Sequence, residues 1–141
     1  MPVQTLVALL LSTVYALLSL LHVYWAFGGR LGLHGVIPEV GGATTFQPSR
    51  RATLLVACAL AAASTLLLCR SGVVATPLPA AWLRAALYAL ASVFALRAIG
   101  DFRVAGFFKR VRGTAFARLD TWLFSPLCAA LASAIFWLAY V

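Results

Sequence analysis

Apolar residues fill four long stretches of the chain, separated by connections rich in polar, basic or glycine residues. The pattern predicts spans at about 5–27, 52–69, 79–96 and 119–141. Uninterrupted apolar runs of about 18–23 residues match the thickness of a bilayer core when they are helical. We therefore expect an all-α integral membrane protein, a four-helix bundle that forms one transmembrane domain over residues 1–141.

Composition supports this class, because 64% of the residues are hydrophobic and 10% are charged. Soluble domains average about 45–50% apolar and about 25% charged residues. The composition thus excludes a soluble enzyme, a disordered tail and a secreted disulfide scaffold. The three cysteines lack metal-ligand spacing, so no metal site is expected. No basic residue precedes the first run, which favours a retained span over a cleaved signal peptide.

The charge is strongly asymmetric, with eleven Lys and Arg against three acids and a net charge of +8. All the basic residues except Arg70 and Arg84 lie in or beside the loops at 28–51 and 97–118. Because cytoplasmic loops are enriched in basic residues, both loops are predicted to be cytoplasmic and both termini outside, in a bacterial cytoplasmic membrane. The charge then indicates anionic lipid headgroups as partners, and not nucleic acid.

The first predicted helix carries a polar stripe. Ser12, Tyr15, Ser19 and His22 are spaced three, four and three residues apart, and Trp25 continues the same face. Such a stripe is expected to face other helices and not lipid. Two interpretations of His22 remain open at this point. The imidazole either bonds between helices and fixes their packing, or it contacts a ligand, carries a proton or binds a metal.

The first loop holds six of the ten glycines, which predicts an irregular, shaped connection. It contains no phosphate-binding motif, so no nucleotide site is expected. The loop either folds back over the helix ends and caps a cavity, or it is a plain solvated connection. His34 lies in this loop and is the only other histidine, which does not favour a haem with two histidine ligands. The sequence identifies no cofactor.

The third loop interleaves phenylalanines with basic residues, a pattern typical of a segment in the headgroup region. Asp101 follows Arg97 by four residues, so a local ion pair is expected between them. The predicted contacts with anionic lipid are Arg103, Lys109, Arg110 and Arg112.

The fourth predicted helix begins close to Asp120, whose carboxylate is expected to cap the helix N-terminus. Ser125 and Pro126 follow about two turns later and predict a kink, because proline cannot donate a backbone hydrogen bond.

Together these residues predict a cavity at the cytoplasmic end of the bundle that binds a lipid-like or other amphiphilic ligand, or else an accessory subunit beside a larger membrane protein. An alternative is a small membrane enzyme acting on a lipid or isoprenoid, with His22 or Asp120 as acid–base and Asp101 as a further candidate. A transporter is less favoured, since no ionisable residue lies near a predicted midplane. The predicted ligand-binding set is His22, Trp25, Arg97, Asp101 and Asp120.

Several segments resemble the DUF3995 family, small bacterial membrane proteins with four spans and unknown function. The resemblance rests on the segment from His22 to Gly29, on Ile37-Pro38, on the segment from Arg97 to Arg103, on Gly106 to Lys109, and on Asp120 with Ser125-Pro126-Leu127. It covers nearly the whole chain. It implies the four-helix architecture and no particular reaction.

Overall fold

The computed structural model describes residues 1–33, 35–40, 43–45 and 47–141, so the expectation for His34 lies outside the described residues. The elements in chain order are α1 (Val3–Ala26), the short strands β1 (Glu39–Val40) and β2 (Ala43–Thr44), α2 (Arg50–Ser71), α3 (Ala80–Ile99), α4 (Ala115–Leu119), a π-helical turn (Asp120–Phe124) and α5 (Ser125–Tyr140).

Within the described residues, four helices are long and apolar enough to cross a membrane: α1, α2, α3 and the continuous helix Ala115–Tyr140. The predicted all-α, four-helix class is therefore confirmed. The first three helices begin and end within a few residues of the predicted spans, since the apolar runs define their centres and capping defines their ends.

The fourth helix begins earlier than predicted because Thr114, and not Asp120, caps it. The Thr114 hydroxyl oxygen accepts a hydrogen bond from the Ala117 N–H at 3.0 Å. Asp120 lies beyond the first turn, so the expectation that it caps this helix is wrong. The residues immediately before Ser125 form a π-helical turn, in which the Ser125 N–H donates to the Asp120 carbonyl five residues earlier. The kink expected at Ser125-Pro126 stays a prediction.

The chain divides into two compact units, which we describe separately. The first unit comprises Met1–Gly29, Ser49–Leu90 and Ala134–Val141, and the second comprises Arg30–Pro48 and Ala91–Ser133.

In the first unit, α1 packs against α2 through hydroxyl groups. The Ser12 and Ser64 hydroxyl oxygens lie 2.8 Å apart, and the Ser64 hydroxyl donates to the Ser12 carbonyl at 2.9 Å. The Ser19 hydroxyl donates to the Ala57 carbonyl at 2.8 Å. Because Ser12, Ser19 and Tyr15 are buried, the predicted orientation of the polar stripe is confirmed.

In the second unit, the first loop folds back against α4. Gly35 is buried with a φ of +84°, and a Cβ there would collide with the Leu119 side chain. The loop also contains an antiparallel pair in which Glu39 faces Thr44, an element that the sequence pattern did not predict. The described residues support the fold-back of this loop, and the cavity that it was expected to cap stays a prediction.

Candidate functional site

The buried carboxylate of Asp120 is the centre of the second unit. The side chain is fully buried, and its two oxygens accept four hydrogen bonds. Oδ1 accepts from Arg97 Nη2 at 2.7 Å. Oδ2 accepts from the Gly106 N–H at 2.7 Å, from Lys109 Nζ at 3.0 Å and from the Ser125 hydroxyl at 3.2 Å. These five residues, which we call the Asp120 cluster, join the end of α3, the third loop and the start of α5.

Two cations share this single carboxylate. Lys109 is only 4% exposed, and its ammonium also donates to the Gly106 carbonyl at 3.0 Å. The Arg97 side chain is 35% exposed, yet its Nη1 atom is buried and has no hydrogen-bond partner among the described residues. Burying a charge is tolerable only when it is paired and well hydrogen-bonded, so the cluster is stable only as a complete set.

Residues 100–113 form the loop that contributes Gly106 and Lys109 to the Asp120 cluster. A second acid, Asp101, holds this loop in a compact turn. The Asp101 carboxylate accepts from the backbone N–H groups of Arg103, Val104 and Ala105 at 2.9, 2.8 and 2.9 Å. Burial raises the pKa of Asp101, but the N–H donors of Ala105, Arg103 and Val104 together outweigh it, so the pKa lies below its ordinary value. We call residues 100–113 the basic loop.

Two glycines let the basic loop close. Gly100 and Gly106 have φ values of +93° and +87°, and their backbones are in direct contact. A Cβ on Gly106 would collide with the Gly100 backbone, and a Cβ on Gly100 would collide with the Ala105 carbonyl. The Phe107 N–H then donates to the Ala98 carbonyl at 2.8 Å, which ties the returning chain to α3.

The expected ion pair between Arg97 and Asp101 does not form. Helix α3 ends at Ile99, and the positive φ of Gly100 turns the chain before Asp101, so the spacing of four residues no longer places the side chains on one helix face. Arg97 pairs with Asp120, and Asp101 accepts from its own loop.

The basic loop presents aromatic and cationic side chains outward. Phe102, Phe107 and Phe108 are exposed, with the rings of Phe102 and Phe108 6.2 Å apart. Arg103, Arg110 and Arg112 are exposed as well, together with Asp101 and Gly113. Lys109 departs from the sequence expectation, because its ammonium is buried on Asp120 and is not available to a lipid headgroup.

A cleft of about 150 Å³ lies where the basic loop meets α4 and the π-helical turn. Arg112 and Arg118 are exposed at its edge, and neither forms an ion pair within the described residues. Trp122 is 83% exposed. The lining, which we call the α4 cleft, comprises Lys109, Arg112, Gly113, Ala117, Arg118, Thr121 and Trp122.

His22 is half-buried in the first unit. Its Nδ1 lies 2.7 Å from the Leu18 carbonyl of the same helix, and its ring packs edge-on against Trp25 at 5.0 Å. The other predicted ligand-binding residues, Arg97, Asp101 and Asp120, belong to the second unit. A ligand site shared by His22, Trp25 and these residues stays a prediction.

The arrangement limits the chemistry that Asp120 can perform. A general base needs a carboxylate oxygen within reach of a substrate proton, whereas both oxygens of Asp120 are occupied by donors and shielded from solvent. The geometry suits a positioning role, in which the carboxylate fixes the basic loop. No group of three or more His, Cys, Asp or Glu side chains within the described residues could hold a metal ion.

Sequence reasoning missed the roles of Gly106, Lys109 and Ser125 in the cluster. The available signal was a pair of glycines six residues apart around Asp101, together with one lysine among phenylalanines. That signal indicates a tight loop, but it does not reveal which acid the lysine meets.

The chain was also compared with known proteins. No curated protein and no solved structure matches it. The family model described as "Protein of unknown function (DUF3995)" matches residues 15–135, which is most of the chain. The chain therefore belongs to the DUF3995 family.

Proposed function

We propose that this membrane protein binds anionic amphiphiles, phosphate-bearing lipids foremost, at the face formed by the basic loop and the α4 cleft. The observation that carries the proposal is the pair of exposed arginines, Arg112 and Arg118, which line a cleft beside the exposed indole of Trp122. A guanidinium group matches phosphate oxygens in a two-pronged geometry, and an exposed indole is typical of the membrane interface.

The charge balance supports an anionic partner. The chain has only three acids, and the structure uses Asp101 and Asp120 inside the second unit. Few acidic side chains of the chain are therefore available to pair with the exposed arginines. Each basic residue near an anionic membrane surface contributes about 1 kcal/mol of attraction. The exposed arginines of this face are Arg103, Arg110, Arg112 and Arg118.

The rigidity of the basic loop also supports binding. The Asp120 cluster, the N–H groups around Asp101 and the contact between Gly100 and Gly106 order the loop before any ligand arrives. A surface that is ordered in advance loses less conformational entropy on association. Phe102, Phe107 and Phe108 are exposed on the same loop and suit insertion among headgroups.

The proposal narrows the ligand-binding set expected from the sequence. Asp101 and Asp120 act by positioning the loop. The Arg97 Nη1 atom is buried without a hydrogen-bond partner among the described residues, and the pair of His22 and Trp25 remains a candidate contact. Among the described residues, no contact specifically supports the alternative of a membrane enzyme that uses His22 or Asp120 as acid–base.

The proposal places loops 28–51 and 97–118 in the cytoplasm, both termini outside, and the protein in a bacterial cytoplasmic membrane. The distribution of basic residues supports this orientation. A reporter fused after Val141 tests it. Activity of a reporter that works only outside the cytoplasm is expected, and activity of one that works only in the cytoplasm would reverse the orientation.

Lipid binding is tested with the full chain in a neutral detergent, titrated with short-chain phosphatidylglycerol or phosphatidylcholine and followed by native mass spectrometry. In the double variant Arg112→Gln with Arg118→Gln, phosphatidylglycerol is expected to bind to the α4 cleft at least about tenfold more weakly, because two charge-assisted contacts are lost. Phosphatidylcholine binding should not change.

The matched control is Arg30→Gln with Arg51→Gln, which removes the same charge from exposed positions outside the α4 cleft. Its affinity should stay within about twofold of the wild type. Equal losses of phosphatidylglycerol affinity in both double variants would contradict a binding site confined to the α4 cleft. Retention of a protein partner instead of lipid by the wild type would favour the accessory-subunit function.

A further inference from the structure

A second cavity lies in the first unit, where α2 ends and α3 begins. Its volume is about 260 Å³, and its lining comprises Arg70, Ala80, Leu83, Arg84, Leu87, Ala139 and Val141. We propose that this cavity, the Arg70–Arg84 cavity, binds the anionic headgroup of a phospholipid. The site is separate from the α4 cleft, since the two linings share no residue.

Two arginines supply the positive charge of this cavity. Arg70 Nε donates to the Leu138 carbonyl at 3.0 Å, which fixes the guanidinium group and leaves its Nη atoms for another acceptor. Arg84 is exposed and makes no hydrogen bond or ion pair with the rest of the described chain. Two guanidinium groups beside one cavity form a site that phosphate oxygens can satisfy.

No side chain of the first unit can neutralise these arginines. The segments Met1–Gly29, Ser49–Leu90 and Ala134–Val141 contain no Asp or Glu. All three acids of the chain lie in the second unit, and two of them are already engaged there. An anion from outside the chain can therefore pair with this positive charge at the ends of the membrane-spanning helices.

The walls of the cavity favour a lipid over a free anion. Leu87 is fully buried and Ala139 is 4% exposed, so part of the lining beside the two arginines is apolar. Trp82, which lies two residues before Arg84, is 70% exposed, as expected for an indole at a membrane interface. The volume lies just below the range of about 300–1,000 Å³ of small-molecule pockets, so the cavity suits a headgroup with its acyl chains outside.

The site is tested in the Arg112→Gln, Arg118→Gln background, which removes the α4 cleft as a competing site. The full chain carries a C-terminal tag on a flexible spacer, so that no terminal carboxylate lies beside Val141. Short-chain phosphatidylglycerol, phosphatidylcholine and inorganic phosphate are titrated in separate arms and followed by native mass spectrometry. Adding Arg84→Gln should weaken phosphatidylglycerol binding at least about tenfold, while Arg84→Lys should retain most of it.

Arg84→Gln is the primary variant because the exposed side chain contributes little to folding. Arg70→Gln should weaken binding similarly, with its thermal melt recorded because it also loses the bond to the Leu138 carbonyl. The matched control is Arg51→Gln, an exposed arginine at the opposite end of α2, which should leave the affinity unchanged. Unchanged binding in Arg84→Gln would overturn the site. Inorganic phosphate binding as tightly as phosphatidylglycerol would overturn the assignment to a lipid.

Discussion

The two units use different polar interactions to hold their helices. In the first unit, α1 and α2 share neutral hydroxyl contacts, such as the pair of Ser12 and Ser64. In the second unit, two cations and one backbone N–H converge on the buried carboxylate of Asp120. A neutral hydroxyl that loses its partner can bond its own helix, whereas a buried charge cannot be left alone. The charged contacts of the second unit are therefore specific and sensitive to substitution, whereas the neutral hydroxyl contacts of the first unit tolerate it.

The largest effect is expected from Asp120→Asn. This change leaves Arg97 and Lys109 without their counter-ion and should lower the free energy of unfolding by about 3–5 kcal/mol. The measurement is denaturant unfolding in mixed micelles followed by tryptophan fluorescence. Glu39→Gln removes the same charge from an acid outside the cluster and should change stability by less than about 0.5 kcal/mol. Equal free energies of unfolding for Asp120→Asn and Glu39→Gln would show that the buried charge cluster is not especially sensitive to substitution.

A smaller effect is expected from Gly106→Ala, which tests whether the loop depends on close backbone contact. Gly113 is the matched control, because its φ of +88° is nearly the same but a Cβ there meets open space. Gly113→Ala should show only the cost of the left-handed conformation, about 1 kcal/mol, and Gly106→Ala should clearly exceed it. Limited proteolysis of residues 100–113 would report the loosened loop. Similar losses of stability in both variants would mean that the left-handed backbone conformation, and not the close contact between Gly100 and Gly106, makes glycine necessary in the loop.

Loss of the neutral contact between Ser12 and Ser64 in the first unit should lower stability only modestly. A double-mutant cycle of Ser12→Ala and Ser64→Ala is expected to give a coupling energy of about 0.6 kcal/mol, as for other hydroxyl contacts between membrane helices. Thr13→Ala serves as the control, since the exposed Thr13 hydroxyl bonds the Leu9 carbonyl of its own helix and no other group among the described residues. A coupling energy as large as the loss of unfolding free energy in Asp120→Asn would show that the hydroxyl contacts of the first unit are no weaker than the charged contacts of the second.

The smallest effect concerns the pH dependence of the basic loop. Because the folded pKa of Asp101 is lowered, its stabilising contribution is fully present above the unfolded pKa of about 3.9 and is lost as pH falls through the folded pKa. The exchange protection of the Arg103, Val104 and Ala105 amides should therefore decrease only in strong acid. Asp101→Asn should remove this dependence. Loss of protection in the wild type near neutral pH would show that another group controls the loop.

The sequence predicts the four helices and the outward-facing aromatic and basic residues, because apolar runs and exposed charge are local properties. It does not predict the environment of Asp120, which depends on the turn at Gly100 and the return of the loop to Gly106. Lys109 illustrates the reason. In sequence it is one of several basic residues in a loop, and only the three-dimensional path of the chain buries its ammonium.

We propose that a loop fixed by the Asp120 cluster presents its exposed cations to anionic headgroups. Hydrogen exchange of residues 100–113 measures this most directly, with the full chain in nanodiscs of phosphatidylcholine alone or mixed with phosphatidylglycerol. Greater protection of these amides in the anionic nanodiscs, diminished by high salt, is the predicted result. The same exchange rates in both lipids, at both salt concentrations, would contradict the account.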